Sequence, residues 1–188
     1  MKLSFWCALL LSMMISGCGE QRSQAPAEPQ KLTSDAVGHY CGMTLAEHAG
    51  PKGQIILGSG KNPVWFSSAR DAFSFTMLAE ESKDVRAIYV SDMAKAPSWS
   101  DPGAENWIDA HQALFVIGSR KQGGMGAPET VPFSDRTAAE KFVAEHGGKI
   151  VAFHEVPRNY VLSSESASEE VKGMGHHHHD DGTTKGVQ

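Results

Sequence analysis

The sequence predicts an α+β fold of two ββαβ repeats packed as small paired domains, flanked by a disordered N-terminal tether and C-terminal tail. Three observations carry that reading. Ile56-Leu57-Gly58-Ser59 is echoed by Val116-Ile117-Gly118-Ser119, and Val64-Trp65-Phe66-Ser67-Ser68 by Val131-Pro132-Phe133-Ser134-Asp135. Each copy passes from an apolar run through a short second strand into a segment of helical spacing. Each also closes on a β-rich run, Val85 to Val90 in the first copy and Lys149 to Val156 in the second.

In chain order, residues 1–17 have the grammar of an export leader. Lys2 gives a positive start, Leu3 to Ile15 is apolar apart from two serines, and Ile15-Ser16-Gly17-Cys18 ends the segment on small residues. That tetrad resembles a lipoprotein signal box, which implies cleavage after Gly17 and a lipid thioether on Cys18. An apolar run of about 13 residues is short of the ~20 that cross a bilayer. Residues 18–34 hold Pro26, Pro29 and several Gln and Ser, so they read as a tether. The first unit spans 35–98. In its helix Ser68 and Asp71 form a capping box, and Ala72, Phe75, Leu78 and Ala79 share one face.

The second unit spans 99–162. Ser134 or Asp135 caps its helix, Ala138, Ala139, Phe142 and Val143 make the face, and Gly147-Gly148 end it. The repeats differ in one connection: four residues separate Ser59 from Val64, whereas eleven separate Ser119 from Val131. The longer one contains Gly123-Gly124-Met125-Gly126, a backbone free to bend around an exposed thioether. Residues 163–188, rich in Ser, Glu and Gly, read as a disordered tail.

Formal charge is −5, and removal of Lys2 with the leader takes it to about −6, a balance without an electrostatic footprint for nucleic acid. There is no Gly-x-Ser-x-Gly elbow, phosphate loop or His-Glu-x-x-His, so no motif supports catalysis. Of three cysteines, Cys7 leaves with the leader and Cys18 takes lipid, so Cys41 stands alone. An unpaired thiol in an oxidising export compartment is reactive, paired between chains, or protected by a ligand.

Cys41 lies in His39-Tyr40-Cys41-Gly42-Met43, where potential donors recur at every second residue. An extended backbone places i, i+2 and i+4 on one face, so imidazole, thiolate and thioether converge. Such soft donors favour Cu(I) over hard cations. Met125 is the next candidate because its glycine-rich loop leaves it little to pack against. Met77 reads as core, and Met93 is unassigned. His111, beside Trp107-Ile108-Asp109-Ala110, is a weaker candidate, since a lone His near aromatic residues is more often satisfied by a hydrogen bond. His154 alternates in a strand, while His48 and His146 have no assigned role. The run His176, His177, His178 and His179, followed by Asp180-Asp181-Gly182, suits Zn(II) or Cu(II) as a weak scavenging arm.

Taken in order, the leader, Cys41-Gly42-Met43, Gly50-Pro51-Lys52-Gly53-Gln54-Ile55, Phe66-Ser67-Ser68-Ala69-Arg70-Asp71, Trp107-Ile108-Asp109-Ala110, the loop around Met125-Gly126, and Phe133 leading to His146-Gly147-Gly148 resemble the NosL family. Its members are accessory lipoproteins of nitrous oxide reductase. The resemblance spans roughly His39 to Val156. It implies a periplasmic Cu(I) chaperone, not an enzyme, that supplies the reductase's copper–sulfide centre. The reductase apoenzyme, a membrane transporter and a periplasmic assembly protein are the implied partners. It further implies paired ββαβ domains akin to the organomercurial lyase fold, with Cys41 and Met43 as copper ligands and Met125 as a third. Gly124 stands where the family usually has Pro. Gly19 after the lipid cysteine, in place of Asp, favours the outer membrane. Two alternatives are a Cys-dependent enzyme of organomercurial-lyase-like fold and a structural or adaptor lipoprotein.

Overall fold

The computed structural model describes residues 27–163. Both repeats form. In the first, β1 (Gly53–Leu57), β2 (Val64–Phe66), α1 (Ala69–Met77) and β3 (Val85–Ser91) follow one another; in the second, β5 (Leu114–Ile117), β6 (Val131–Phe133), α2 (Arg136–His146) and β7 (Lys149–Ala152) repeat the plan. Between them β4 (Trp107–Asp109) pairs antiparallel with β3, although it lies in the span read as the second unit. The sheets have strand orders β2-β1-β3-β4 and β6-β5-β7, so the repeat extends to topology.

Caps account for where the helices begin. The Ser68 hydroxyl accepts from Asp71 N–H at 3.2 Å, and the Asp135 carboxylate accepts from Ala138 N–H at 2.8 Å, each satisfying an amide that the helix leaves open. Ser134, the other cap candidate, instead donates to the buried Asp92 carboxylate. α1 stops at Met77, so Leu78 and Ala79 lie outside the helix on whose face they were placed.

β5 is buried along both faces. Alternation sends Phe115 and Ile117 into a core shared with Ile55, Phe66, Phe73 and Phe75 of the first unit, and Val116 into a second core with Val131, Phe133 and Ala139. Phe73 meets Phe115 edge to face at 4.9 Å between ring centroids and stacks on Phe153 at 4.8 Å. One core therefore binds the two units. Met77 packs against it as read from the sequence, and Met93 packs against the second core.

Two expectations need correcting. The run Lys149 to Val156 is strand only to Ala152; Phe153–Glu155 is a 3-10 turn, and α3 (Arg158–Leu162) follows and packs on α1. His154 therefore does not alternate in a strand. The last residues of the supposed tether also lie on the first sheet. Gln30 and Gln54 exchange two backbone–side-chain hydrogen bonds at 2.8 and 2.9 Å, and Tyr89 donates to the Ala27 carbonyl at 2.9 Å. Composition reads that stretch as polar and free, but the buried Gln54 amide needs partners and takes them from its backbone.

Phe73→Ala should cost about 3–5 kcal/mol, the usual penalty for emptying a large aromatic site. Both sheets should then unfold in one transition of lowered midpoint in urea, and separate transitions for the two units would contradict a shared core.

Candidate functional site

His39–Cys41 do not form a strand; they make a turn closed by an isolated bridge between Val37 and Thr44. Gly38 N–H donates to the Met43 carbonyl and Gly42 N–H to the Gly38 carbonyl, both at 2.9 Å, and Gly42 takes φ 65° where a side chain would be strained. His39 N–H donates to the Trp65 carbonyl at 2.8 Å, hanging the turn on β2. Such winding breaks the every-second-residue alignment that an extended chain would give. The His39 ring turns to Phe66 and Phe75, and its Nε2 lies 3.2 Å from Glu81 Oε1, which also accepts from the Tyr40 hydroxyl at 2.9 Å. The structure thus assigns His39 to anchoring the turn.

Cys41 Sγ is half-buried at the N-terminal end of α1, 3.5 Å from Ser67 Oγ and 3.9 Å from His48 Nε2. Gly38 leaves room for it, since a Cβ there would stand 2.6 Å from the sulfur. The imidazole beside the thiol is therefore that of His48, which the sequence pattern did not single out. His48 follows the 3-10 turn Leu45–Glu47, anchored by the fully buried Leu45, and is itself buried. Its carbonyl, with that of Gly50, accepts from the buried Lys52 ammonium group, so the His48 backbone is held from below. Burial brings the Lys52 amine down to about 8.

The long loop of the second repeat reaches this place. A Cβ on Gly124 would lie 2.4 Å from His48 Cβ, so the loop backbone rests directly on the histidine, and Met125 follows at once. Proline, which the resemblance calls for at 124, could not sit there without moving the loop. Met43 and Met125 are 38% and 53% exposed, whereas Met77 and Met93 pack on the cores, which leaves these two thioethers accessible to a cation. His111 lies elsewhere. Its Nδ1 is 3.1 Å from Asp109 Oδ1, its ring packs on Phe153, and it shares a cavity with Thr76 near the opposite end of α1, a helix of nine residues or about 13 Å. Cys18 and His176 to His179 lie outside the described residues.

Thiol, imidazole and exposed thioethers form a soft donor set suited to Cu(I). Among the described residues no three His, Cys, Asp or Glu side chains gather where they could hold a metal ion. Two carboxyls flank the start of α1, Asp71 half-buried and Glu129 fully buried. Burial raises Asp71, with Arg70, a Ser67 hydrogen bond and His48 drawing it back. Burial pushes Glu129 up to about 8 even though Arg70 and Thr130 N–H groups donate to it. The latter residue follows the Gly-rich loop, and nothing in its local pattern marks it.

The sequence model of the NosL family matches residues 29–161. A protein named copper-binding lipoprotein NosL from Achromobacter cycloclastes is 43% identical over 151 residues, covering 80% of this chain and 78% of that one. Its namesake from Stutzerimonas stutzeri is 31% identical over 171 residues, covering 90% and 87%. The crystal structure of the copper chaperone NosL from Shewanella denitrificans superposes with a TM-score of 0.66 at 36% identity, covering 71% of this chain and 98% of that one. The chain belongs to the NosL family. All three relatives carry names of copper-binding proteins and none that of an enzyme.

The Glu129 carboxyl carries a pH signature. Unfolded, it loses its proton near the ordinary 4.5; folded, it keeps the proton until about 8, so across that window the native state binds more protons than the unfolded state. Stability from this group is complete below the lower value and is lost as pH rises towards the upper one. Urea unfolding from about pH 5 to about pH 8 should show a decline that Glu129→Gln flattens, and equal slopes in the two proteins would refute the assignment.

Proposed function

We propose that this NosL-family chain carries Cu(I) as cargo, held by the Cys41 thiolate with Met43, Met125 and His48 as further donors. It passes the ion to the apoenzyme of nitrous oxide reductase for its copper–sulfide centre. The observation that supports this best is the convergence at one end of the molecule: Cys41 Sγ is 3.9 Å from His48 Nε2, and the Met125 loop rests on the same histidine. A purely structural thiol would have no use for a neighbouring imidazole on which a loop with an accessible thioether rests.

The donor types suit a carrier. Binding a soft cation displaces the thiol proton, so the thiolate supplies affinity and charge, while thioethers add softness without a proton to lose. Met43 and Met125 are open to solvent, so an incoming ligand can approach and bonds can exchange one at a time without release of free copper. Lipid on Cys18 would keep the chain at the periplasmic face of a membrane, the outer membrane in a two-membrane cell. Delivery would involve a membrane transporter and a periplasmic assembly protein. The run His176 to His179 would bind Zn(II) or Cu(II) weakly, through imidazoles suited to borderline divalent cations.

Anaerobic competition with a Cu(I) chelator tests the reading. Cys41→Ser should weaken binding more than about a hundredfold, and Met43→Leu or His48→Ala each by about tenfold, set against the ~10–100-fold cost of disturbing a residue that only supports a ligand. Equal affinity of wild type and Cys41→Ser would rule the site out. Deleting the residues after Ser163 should leave Cu(I) affinity intact and remove only weak divalent uptake; loss of all metal binding would move the site to the tail.

A further inference from the structure

We propose that Glu129 is a positioning residue whose buried carboxyl ties the 123–126 loop, which carries Met125, to the N-terminal end of α1, where Ser67 meets the Cys41 thiol. The inference rests on the reading of Met125 as a copper donor, and its core is a statement about the loop alone.

Glu129 is 1% exposed. Its Oε1 accepts from Arg70 N–H and Thr130 N–H, both at 2.9 Å, and from the Ser68 hydroxyl at 3.4 Å. Two of these three donors belong to the first turn and cap of α1, adjacent to Ser67. The other oxygen, Oε2, faces Gly123. It is buried without a hydrogen-bond partner among the described residues and lies 2.6 Å from where a Cβ on Gly123 would stand. One side chain therefore spans the boundary between units, with one oxygen fastened to the helix of the first and the other against the loop backbone of the second.

The arrangement is costly, which is why it points to a role. Burying a carboxyl is unfavourable unless its oxygens are satisfied, and an apolar side chain would fill the same volume without that penalty. What an apolar residue cannot do is hold two donors from the cap and first turn of α1 at one edge of the loop. Apart from the packing of Gly124 on His48, the loop is fastened by local hydrogen bonds: Gly123 N–H donates to the Ala127 carbonyl and Gly126 N–H to the Gly123 carbonyl, both at 2.9 Å, while the Tyr160 hydroxyl of α3 donates to the Glu129 carbonyl at 2.9 Å. Glu129 is thus the side chain through which the loop's fixed stem meets the first unit.

Two measurements on the full chain test it, amide hydrogen exchange at Gly123 and Gly126 and Cu(I) affinity in a double-mutant cycle with Met125→Leu. In Glu129→Ala, exchange at both glycines should accelerate about tenfold or more, and Met125→Leu should no longer change affinity in that background. Glu129→Gln, which keeps the shape and an acceptor, should retain slow exchange and the Met125 effect. Glu129→Asp, too short to span the gap, should reproduce the loosened loop if the alanine variant does not fold. Unchanged exchange in Glu129→Ala or Glu129→Asp, additive effects of the paired substitutions, or a glutamine variant as loose as the alanine one would overturn the proposal. If Met125→Leu alone leaves Cu(I) affinity untouched, the copper reading of Met125 fails, and the exchange rates still decide whether Glu129 holds the loop.

Discussion

The edge-to-face contact of Phe73 with Phe115 is the constraint on which the candidate site depends, because its candidate donors come from both repeats and neither repeat can place them alone. Cys41 and His48 belong to the segment that precedes β1, and Met125 to the connection between β5 and β6. Their separation in space is set by how α1 seats against β5. A core shared across the boundary fixes that seat far more rigidly than two small cores meeting at a polar interface could, since domain contacts of the latter kind ordinarily allow relative motion.

The repeat was legible because its signals are local and strong. Apolar alternation, Ser68 and Asp135 as caps, and Gly147 as a stop each act over a few residues, and the starts of both helices and the end of α2 follow from them. Chain beyond those signals was read less well. Val156 continues the apolar pattern of β7, yet the backbone turns at Phe153 because that ring is claimed by Phe73. Phe73 itself lies off the helical face chosen from spacing, since that face describes a helix packed on one side, and α1 is packed on several.

The site was half legible. Cys41, Met43 and Met125 stand out by chemical type, whatever the backbone does. Period points to His39, but period fails where a backbone turns, so the imidazole beside the thiol is that of His48, seven residues along the chain from Cys41. Lys52 and Glu129 could not be found by pattern either, because an isolated charged residue reads as surface until its burial is known. A glycine at 124, a departure within the resemblance, is the local sign that the loop comes close to something.

Gly38 makes the thiol's seat only as deep as a missing methyl group. An alanine there would act as a wedge, driving the sulfur off Ser67 and away from the imidazole without altering any donor atom. On the reading of Cys41 as a copper ligand, metal affinity is hostage to a residue with no chemistry of its own, and a survey confined to liganding side chains would miss that way to disarm the molecule.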